Sequence, residues 1–446
     1  MQGHLHRGVG VTTVEHAVGA TGAAERTGLS RQTVTGLIFG LLGVALIAGV
    51  APAISGNSRR FNFEPPPDPA GIGFHPPTWV IAIGVLFLVA AVLGFAPPDA
   101  RRYASPARLL SAIALIPLVL VLSLALSDNP STNIINLFNE SLVLATPLAL
   151  GATTGLWCER SGIINIGIEG TMLAGAGIGY MTYATIGDAQ STGWLWFSIL
   201  ISVLAGGLVA SLLAVLSIRF GVNQIVAGVV INLFALGLTG FLRSEVIVKT
   251  GITTGVGTSE FGLPLLSEIP VIGDQLFRGK PIYWMMYLVV IGTWLVMFRT
   301  PWGLRVRSCG ENPHAAETLG VNVIRIRYQS VILGGLIAGL AGAWFSMESQ
   351  TRFEDNMTNA AGFIALAALI FGKWTPWGAF GGALLFGFSR ALGTRLQFLG
   401  VEVSGFEIPS EFLQALPFVV TLVVVAGAVG RSIPPAAAGQ PFQRSK

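Results

Sequence analysis

Charge is what this sequence has least of. Only 11% of its 446 residues are Asp, Glu, Lys or Arg, against about 25% in soluble domains. Its two cysteines, Cys158 and Cys309, cannot build a disulfide framework or a cysteine-rich metal cluster. The five histidines, at 4, 6, 16, 75 and 314, are scattered without ligand spacing. The phosphate-loop pattern G-x-x-x-x-G-K-[ST] is missing: Gly279-Lys280 runs into Pro281, and Gly372-Lys373 into Trp374. H-E-x-x-H and G-x-S-x-G are missing too, so hydrolytic chemistry has no candidate centre. The chain is expected to carry no catalytic residue, no metal and no cofactor of its own.

What the sequence has instead is apolar length. Hydrophobic residues make up 52%, and the mean hydropathy is +0.70. Runs of about 18 residues or more recur, enough to cross a hydrocarbon core. They are continuous rather than alternating, which disfavours a β-barrel. Candidate spans are 33–54, 78–96, 107–126, 137–157, 163–186, 195–217, 225–242, 282–299, 328–346, 361–372, 377–392 and 412–430. The pair 361–372 and 377–392 is short and reads either as two crossings or as a re-entrant hairpin. The expected fold is therefore all-α, a polytopic transmembrane bundle of about 10–12 spans.

Basic residues set an expected orientation. With the N-terminus inside, 17 of the 26 Lys and Arg fall on inner segments and 9 on outer ones. Both termini are then cytoplasmic. The net charge of +4 belongs to this pattern, and no nucleic-acid partner is expected. Residues 1–32 lack the apolar core of a signal peptide and read as a disordered cytoplasmic tail. Residues 33–130 hold three plain apolar spans and a Pro-rich outer loop, "FNFEPPPDPAGIGFHPP" at 61–77. Polar residues enter the spans only later, so function is expected in 131–430, with 431–446 a second cytoplasmic tail.

Three stretches carry chemistry. Glycine pairs four apart (Gly36/Gly40, Gly175/Gly179, Gly335/Gly339, Gly378/Gly382) allow close helix approach and name no substrate. "ERSGIINIGIEGTM" (159–172) places Glu169 inside an apolar run. Burying a charge there costs at least about 2.5–3.5 kcal/mol, so it faces a cavity or a partner. Asn165 stands four residues before it, and Gly162, Gly167 and Gly170 permit an irregular backbone. Two readings stay open: a polar lining of a transport path, or a structural hydrogen bond. "GVNQIVAGVVINLFALGLTGF" (221–241) adds Asn223, Gln224 and a mid-span Asn232, with the same two readings. Groups that both donate and accept suit a small neutral polar solute.

The third stretch is "CGENPHAAETLGVNVIRIR" (309–327). Asn312 is a good cap, Pro313 suits a first helical turn, and Gly320 suits a helix end. A helix over 313–319, about 10 Å long, is expected between two spans. Its mixed face sets Ala315, Ala316 and Leu319 against Glu311, His314 and Glu317. That suits docking into a groove of another protein.

This helix resembles the coupling helix of an ABC-transporter permease. Together with "NIGIEG", "NQIVAGVVINLFALGLTGF" and "GFIALAALIFGKWTPWGAFGGALLFGF" (362–388), it resembles the bacterial nucleoside or simple-sugar importer permeases, which belong with the branched-chain amino acid and ribose permeases. The resemblance covers roughly 131–430. It implies a subunit in the bacterial inner membrane, paired with ABC ATPase subunits that bind ATP and magnesium. It also implies a second permease subunit, alike or different, and an extracytoplasmic solute-binding protein. Glu311, Asn312, Ala315, Ala316 and Gly320 would belong to the ATPase contact. Asn165, Glu169, Asn223 and Asn232 fall in matching motifs near the expected path. The competing expectation is an ion-coupled transporter working alone, with Glu169 as proton carrier. Such relays need several intramembrane ionisable groups, and the sequence offers one clear case.

Overall fold

The computed structural model describes residues 31–54, 56–63, 71–95, 131–186, 191–249, 257–270, 272–398 and 432–443, with residue 251 and short pieces between 114 and 125 and between 402 and 409. The expected tail before residue 31 and the span at 412–430 lie outside the described residues, and the span at 107–126 lies largely outside them.

The chain is a helical bundle. Its principal helices are α1 (Arg31–Val44), α2 (Pro76–Phe95), α3 (Ile134–Glu159), α4 (Ile168–Ile186), α5 (Thr192–Ala214), α6 (Gln224–Leu242), α7 (Pro281–Arg299), α8 (Pro301–Glu311), α9 (Pro313–Thr318), α10 (Val323–Ala343), α11 (Ala361–Phe371) and α12 (Pro376–Phe398). Among the described residues, seven helices are long and apolar enough to cross a membrane. They are α1, α2, α3, α5, α6, α7 and α10 with their helical extensions. Helix α11 has 11 residues, about 17 Å, and falls short of a hydrocarbon core about 30 Å thick. Proline opens many of these helices, at 76, 281, 301, 313 and 376, where its missing N–H costs nothing.

Helices α3 and α10 form the centre. Helix α10 packs on α5, α3 and α4, and α3 packs on α12 and α11. In lipid, such contacts rest on close packing rather than on water exclusion, and glycine makes them close. A Cβ on Gly206 would stand 2.4 Å from the Gly335 carbonyl oxygen, and one on Gly339 2.3 Å from that of Ser202. The other glycine pairs lie at helix contacts as well, Gly36 against Phe95 and Gly382 against Ala368. Leu208, Leu233 and Leu288 point outward as the lipid-facing surface of such a bundle.

Helices α1 and α2 have their own cluster of buried side chains, including Phe39, Leu46, Val80, Ile83 and Phe87. The loop after α1 is not wholly irregular. Residues Arg59–Asn62 (β1) pair antiparallel with Gly71–Phe74 (β2), where Phe61 stacks on Phe74 with centroids 4.2 Å apart. On its other edge β1 pairs parallel with Ser131–Asn133 (β3), which leads directly into α3. This ladder fastens the N-terminal hairpin to the start of the main bundle.

Candidate functional site

Two places gather the polar residues. The first is where α4 and α11 begin. After Glu159 the chain leaves the helix, runs non-helically through 160–167, and becomes helical again at Ile168. Residues 350–360 are likewise non-helical, and α11 then starts at Ala361. The residue before α11, Ala360, has a left-handed backbone (φ 60°) and no capping side chain. Glu169, on the first turn of α4, supplies the cap. One carboxylate oxygen accepts from the Thr358 hydroxyl (2.6 Å) and the Ala360 N–H (3.0 Å), and the other from the Gly362 N–H (2.5 Å). A Cβ on Gly362 would sit 2.5 Å from the Glu169 nitrogen, so only glycine lets the two helix starts meet. Arg390, on α12, donates to the Asn359 carbonyl (3.2 Å) and lies in the field of Glu169. A helix start carries partial positive charge, so a carboxylate there is favoured by roughly 0.3–2 kcal/mol.

Helix α6 clamps the broken segment. The Asn232 amide accepts from the Gly170 N–H (2.7 Å) and donates to the Ile166 carbonyl (3.0 Å). Gln224 accepts from the Ile164 N–H at 2.6 Å. Asn223 lies apart from this junction: its side chain caps α6 by accepting from Ile225 and Val226. Asn165 is fully buried; its amide nitrogen donates to Cys158 Sγ at 3.4 Å, and its oxygen has no partner among the described residues. Glu169 and Asn232 thus hold this junction together, Asn165 keeps an acceptor to spare, and Asn223 serves its own helix.

Sequence reasoning missed a second carboxylate of the same kind. Glu348, in the helical extension of α10, accepts from the N–H groups of Ile282 (2.7 Å) and Tyr283 (3.0 Å), capping α7 as Glu169 caps α11. Glu169 is therefore not alone among the described residues as a buried carboxylate that caps a helix start from another segment. The sequence signal was weak because Glu348 lies where an apolar run gives way to "MESQTRFED".

The second place is the corner between α7 and α10. Helix α9 spans Pro313–Thr318, and the Asn312 side chain caps it by accepting from the Ala315 N–H at 3.0 Å. Gly320 has φ +83°, the left-handed geometry that ends it. Before α9 stands α8, which the sequence reading left out; its mark was Thr300-Pro301, a cap and first-turn pair like Asn312-Pro313. The Thr300 hydroxyl accepts from the Gly303 N–H at 3.1 Å. The outward surface here is Glu311, Asn312, His314, Ala315, Leu319 and Gly320, with Leu319 84% exposed. Ala316, expected on that surface, is turned inward and only 3% exposed, because α9 lays this residue against its own bundle.

The corner is tied to the end of α3. Arg160 donates twice to the Trp374 carbonyl (2.9 and 2.7 Å) and lies 3.8 Å from the Glu311 carboxylate. Burial pushes the Arg160 pKa down, opposed by Glu311. Burial likewise pushes the Cys309 thiol up, to about 11. Arg305 and Arg325 are exposed here.

Comparison with known proteins adds the following. Residues 137–425 match the family described as branched-chain amino acid transport system, permease component. A nucleoside ABC transporter permease of Lactococcus lactis is 40% identical over 307 residues, covering 68% of this chain and 96% of that one. A guanosine ABC transporter permease of Bacillus subtilis is 37% identical, covering 69% and 96%. A putative glucose ABC transporter permease of Haloferax volcanii is 33% identical, covering 66% and 92%. No solved structure matches the chain.

Proposed function

This chain belongs to the family of branched-chain amino acid transport system permease components, and we propose that it is the membrane subunit of an ATP-driven importer of nucleosides. The observation that carries the reading is the likeness to the nucleoside and guanosine permeases, which extends over nearly the whole of both. The corner at 311–320 supports the coupling half of it. A short capped helix with exposed polar residues and an exposed leucine fits a groove on a second protein. In this reading the partner is the ATPase, which binds ATP and magnesium. Its dimer favours one state of the permease over the other, and that difference in affinity drives the switch of access. A second permease chain and an extracytoplasmic solute-binding protein complete the assembly in the bacterial inner membrane.

The first place bears on the solute. Broken helices are where transporters place their sites, with helix starts turned toward anionic groups. Here the start of α11 is already filled by Glu169. An anionic solute would meet that resident carboxylate, so the arrangement favours an uncharged one, such as a nucleoside over a nucleotide. Asn165 is fully buried, so in this reading its unpartnered oxygen meets a solute hydroxyl or amino group only when the switch of access opens the broken segment. Glu169 and Asn232 act by holding the wall of the path in shape, and Asn223 by capping α6. Both Glu169 oxygens are committed as acceptors to three donors, the arrangement of a helix cap rather than of a proton carrier.

The test is uptake of radiolabelled guanosine, adenosine, cytidine, ribose and glucose by cells with and without this chain. Loss of nucleoside uptake on deletion, with glucose unaffected, is expected. Unchanged nucleoside uptake together with lost glucose uptake would transfer the protein to the sugar carriers.

A further inference from the structure

Residues 432–443 follow a stretch of apolar sequence and read as a tail, yet they lie across the corner of the bundle. The Ser432 hydroxyl donates to the Ile370 carbonyl at 2.7 Å, near the end of α11. The Ala437 N–H donates to the Gly310 carbonyl at 2.8 Å, at the joint of α8 and α9. Beside it the Ala436 N–H donates to the Glu311 carboxylate at 3.3 Å. The Gly439 N–H donates to the Gly162 carbonyl at 3.1 Å, at the mouth of the broken segment. Gly439 adopts φ +80°, a left-handed bend that an L side chain would strain.

At the centre of these contacts is Arg327, on the first turns of α10. It is the largest fully buried side chain among the described residues, 2% exposed. Its Nε donates to the Ser161 carbonyl (3.1 Å) and its Nη1 to the Gln440 carbonyl (3.2 Å). The Phe442 ring covers the guanidinium with its centroid 5.8 Å away, and it packs tilted at 47° against the His314 ring on α9, with centroids 5.2 Å apart. Gly162, with φ +96°, makes the room: a Cβ there would stand 2.7 Å from Arg327 Nη2. A buried guanidinium bonded to carbonyls of two separate segments fixes their spacing, because its donors form a rigid planar fork.

We propose that residues 432–443 are a strap that carries movement of the α8–α9 corner to the broken segment 160–167, with Arg327 as the positioning residue that holds them together. This rests on the reading of that corner as the ATPase contact. The strap touches the corner at Gly310, Glu311 and His314, and the broken segment at Gly162. The broken segment leads within seven residues to Glu169 and so to the start of α11. A shift of α9 therefore reaches the polar junction through these hydrogen bonds and one ring contact.

The test uses the full transporter, purified with its ATPase and solute-binding partners and placed in proteoliposomes. Two ratios are measured: labelled guanosine taken up per ATP hydrolysed, and ATPase co-purified per permease. Phe442→Ala and a chain ending at residue 431 are expected to keep the ATPase bound and hydrolysing while uptake per ATP falls about tenfold. Phe442→Trp, which keeps a ring over Arg327, is expected to restore most of it. Arg327→Lys, which keeps the charge but loses the fork, should behave like Phe442→Ala. A shortened chain that takes up guanosine at the wild-type ratio would overturn the strap. Should the shortened chain not accumulate in the membrane, Phe442→Ala alone decides, and a wild-type ratio there overturns the strap equally. If wild-type uptake itself needs no ATP, the reading of the corner fails, and the strap with it.

Discussion

Replacing Glu169 by Gln removes a charge while keeping the shape, and the structure says what that costs. The carboxylate accepts from Thr358, Ala360 and Gly362 at 2.6, 3.0 and 2.5 Å. Glutamine keeps one acceptor oxygen and turns an NH2 group toward the remaining donor. With the oxygen facing Thr358 and Ala360, the amide opposes the Gly362 N–H. One hydrogen bond to a charged acceptor is lost, about 1.5–3 kcal/mol. The favourable charge at the start of α11 goes too, roughly 0.3–2 kcal/mol. The sum is about 2–5 kcal/mol, enough to lower the unfolding midpoint of the purified protein in detergent, followed by tryptophan fluorescence. Gly362→Ala attacks the same contact from the other side, since its Cβ would press on the Glu169 backbone. The double variant should lose less than the two singles added together, because both break one contact. An unchanged midpoint in Glu169→Gln, or strict additivity with Gly362→Ala, would refute the capping argument.

Three further outcomes follow from the geometry. Asn232→Leu breaks two bonds from α6, one to α4 and one to the broken segment, about 1–3 kcal/mol at the values found within membranes, and should depress guanosine uptake. Asn223→Ser should change it little, since serine caps a helix as well as asparagine does; equal uptake in the two variants would remove Asn232 from the transport machinery. Glu311→Arg sets two guanidinium groups against each other at the corner and strips Ala436 of its acceptor; uptake should fall at least about tenfold at unchanged membrane level, and normal uptake would count against the corner as the coupling surface. Cys309, with its thiol raised to about 11 by burial, holds about 100-fold less thiolate at pH 7 than an ordinary thiol. Cys309 is also fully buried, so maleimide labelling there should stay slight across the neutral range, whereas Leu319→Cys, on an 84% exposed position, should label readily at pH 7.

The parts legible in the sequence are those that local chemistry decides. Asn312-Pro313 and Gly320 mark the ends of α9 by rules that operate within one turn, and they hold. Glu169 stood out because a charge in an apolar run needs a partner. Its partners, Thr358, Ala360 and Gly362, lie about 190 residues away and only folding brings them close. Glu348 escaped notice because it sits at a span's edge, where a charge looks ordinary. Ala316 was assigned outward because a seven-residue helix has too little periodicity to tell one alanine from its neighbour; packing against the bundle made the choice. Arg327 read as one more basic residue flanking a span, the usual mark of orientation, whereas it is buried under Phe442. Pro, Ala and Gly make up seven of the twelve strap residues, and Ala436, Ala437, Gly439 and Gln440 bond through their backbone, which leaves little side-chain pattern to read.

The most direct measurement is the energy source of transport. The complete transporter is reconstituted in proteoliposomes, and accumulation of labelled guanosine is followed with ATP alone, with a proton or sodium gradient alone, and with neither. Accumulation with ATP alone, abolished when the ATPase partner is left out, is the expected result. Accumulation by this chain without that partner, driven by an ion gradient, would contradict the account.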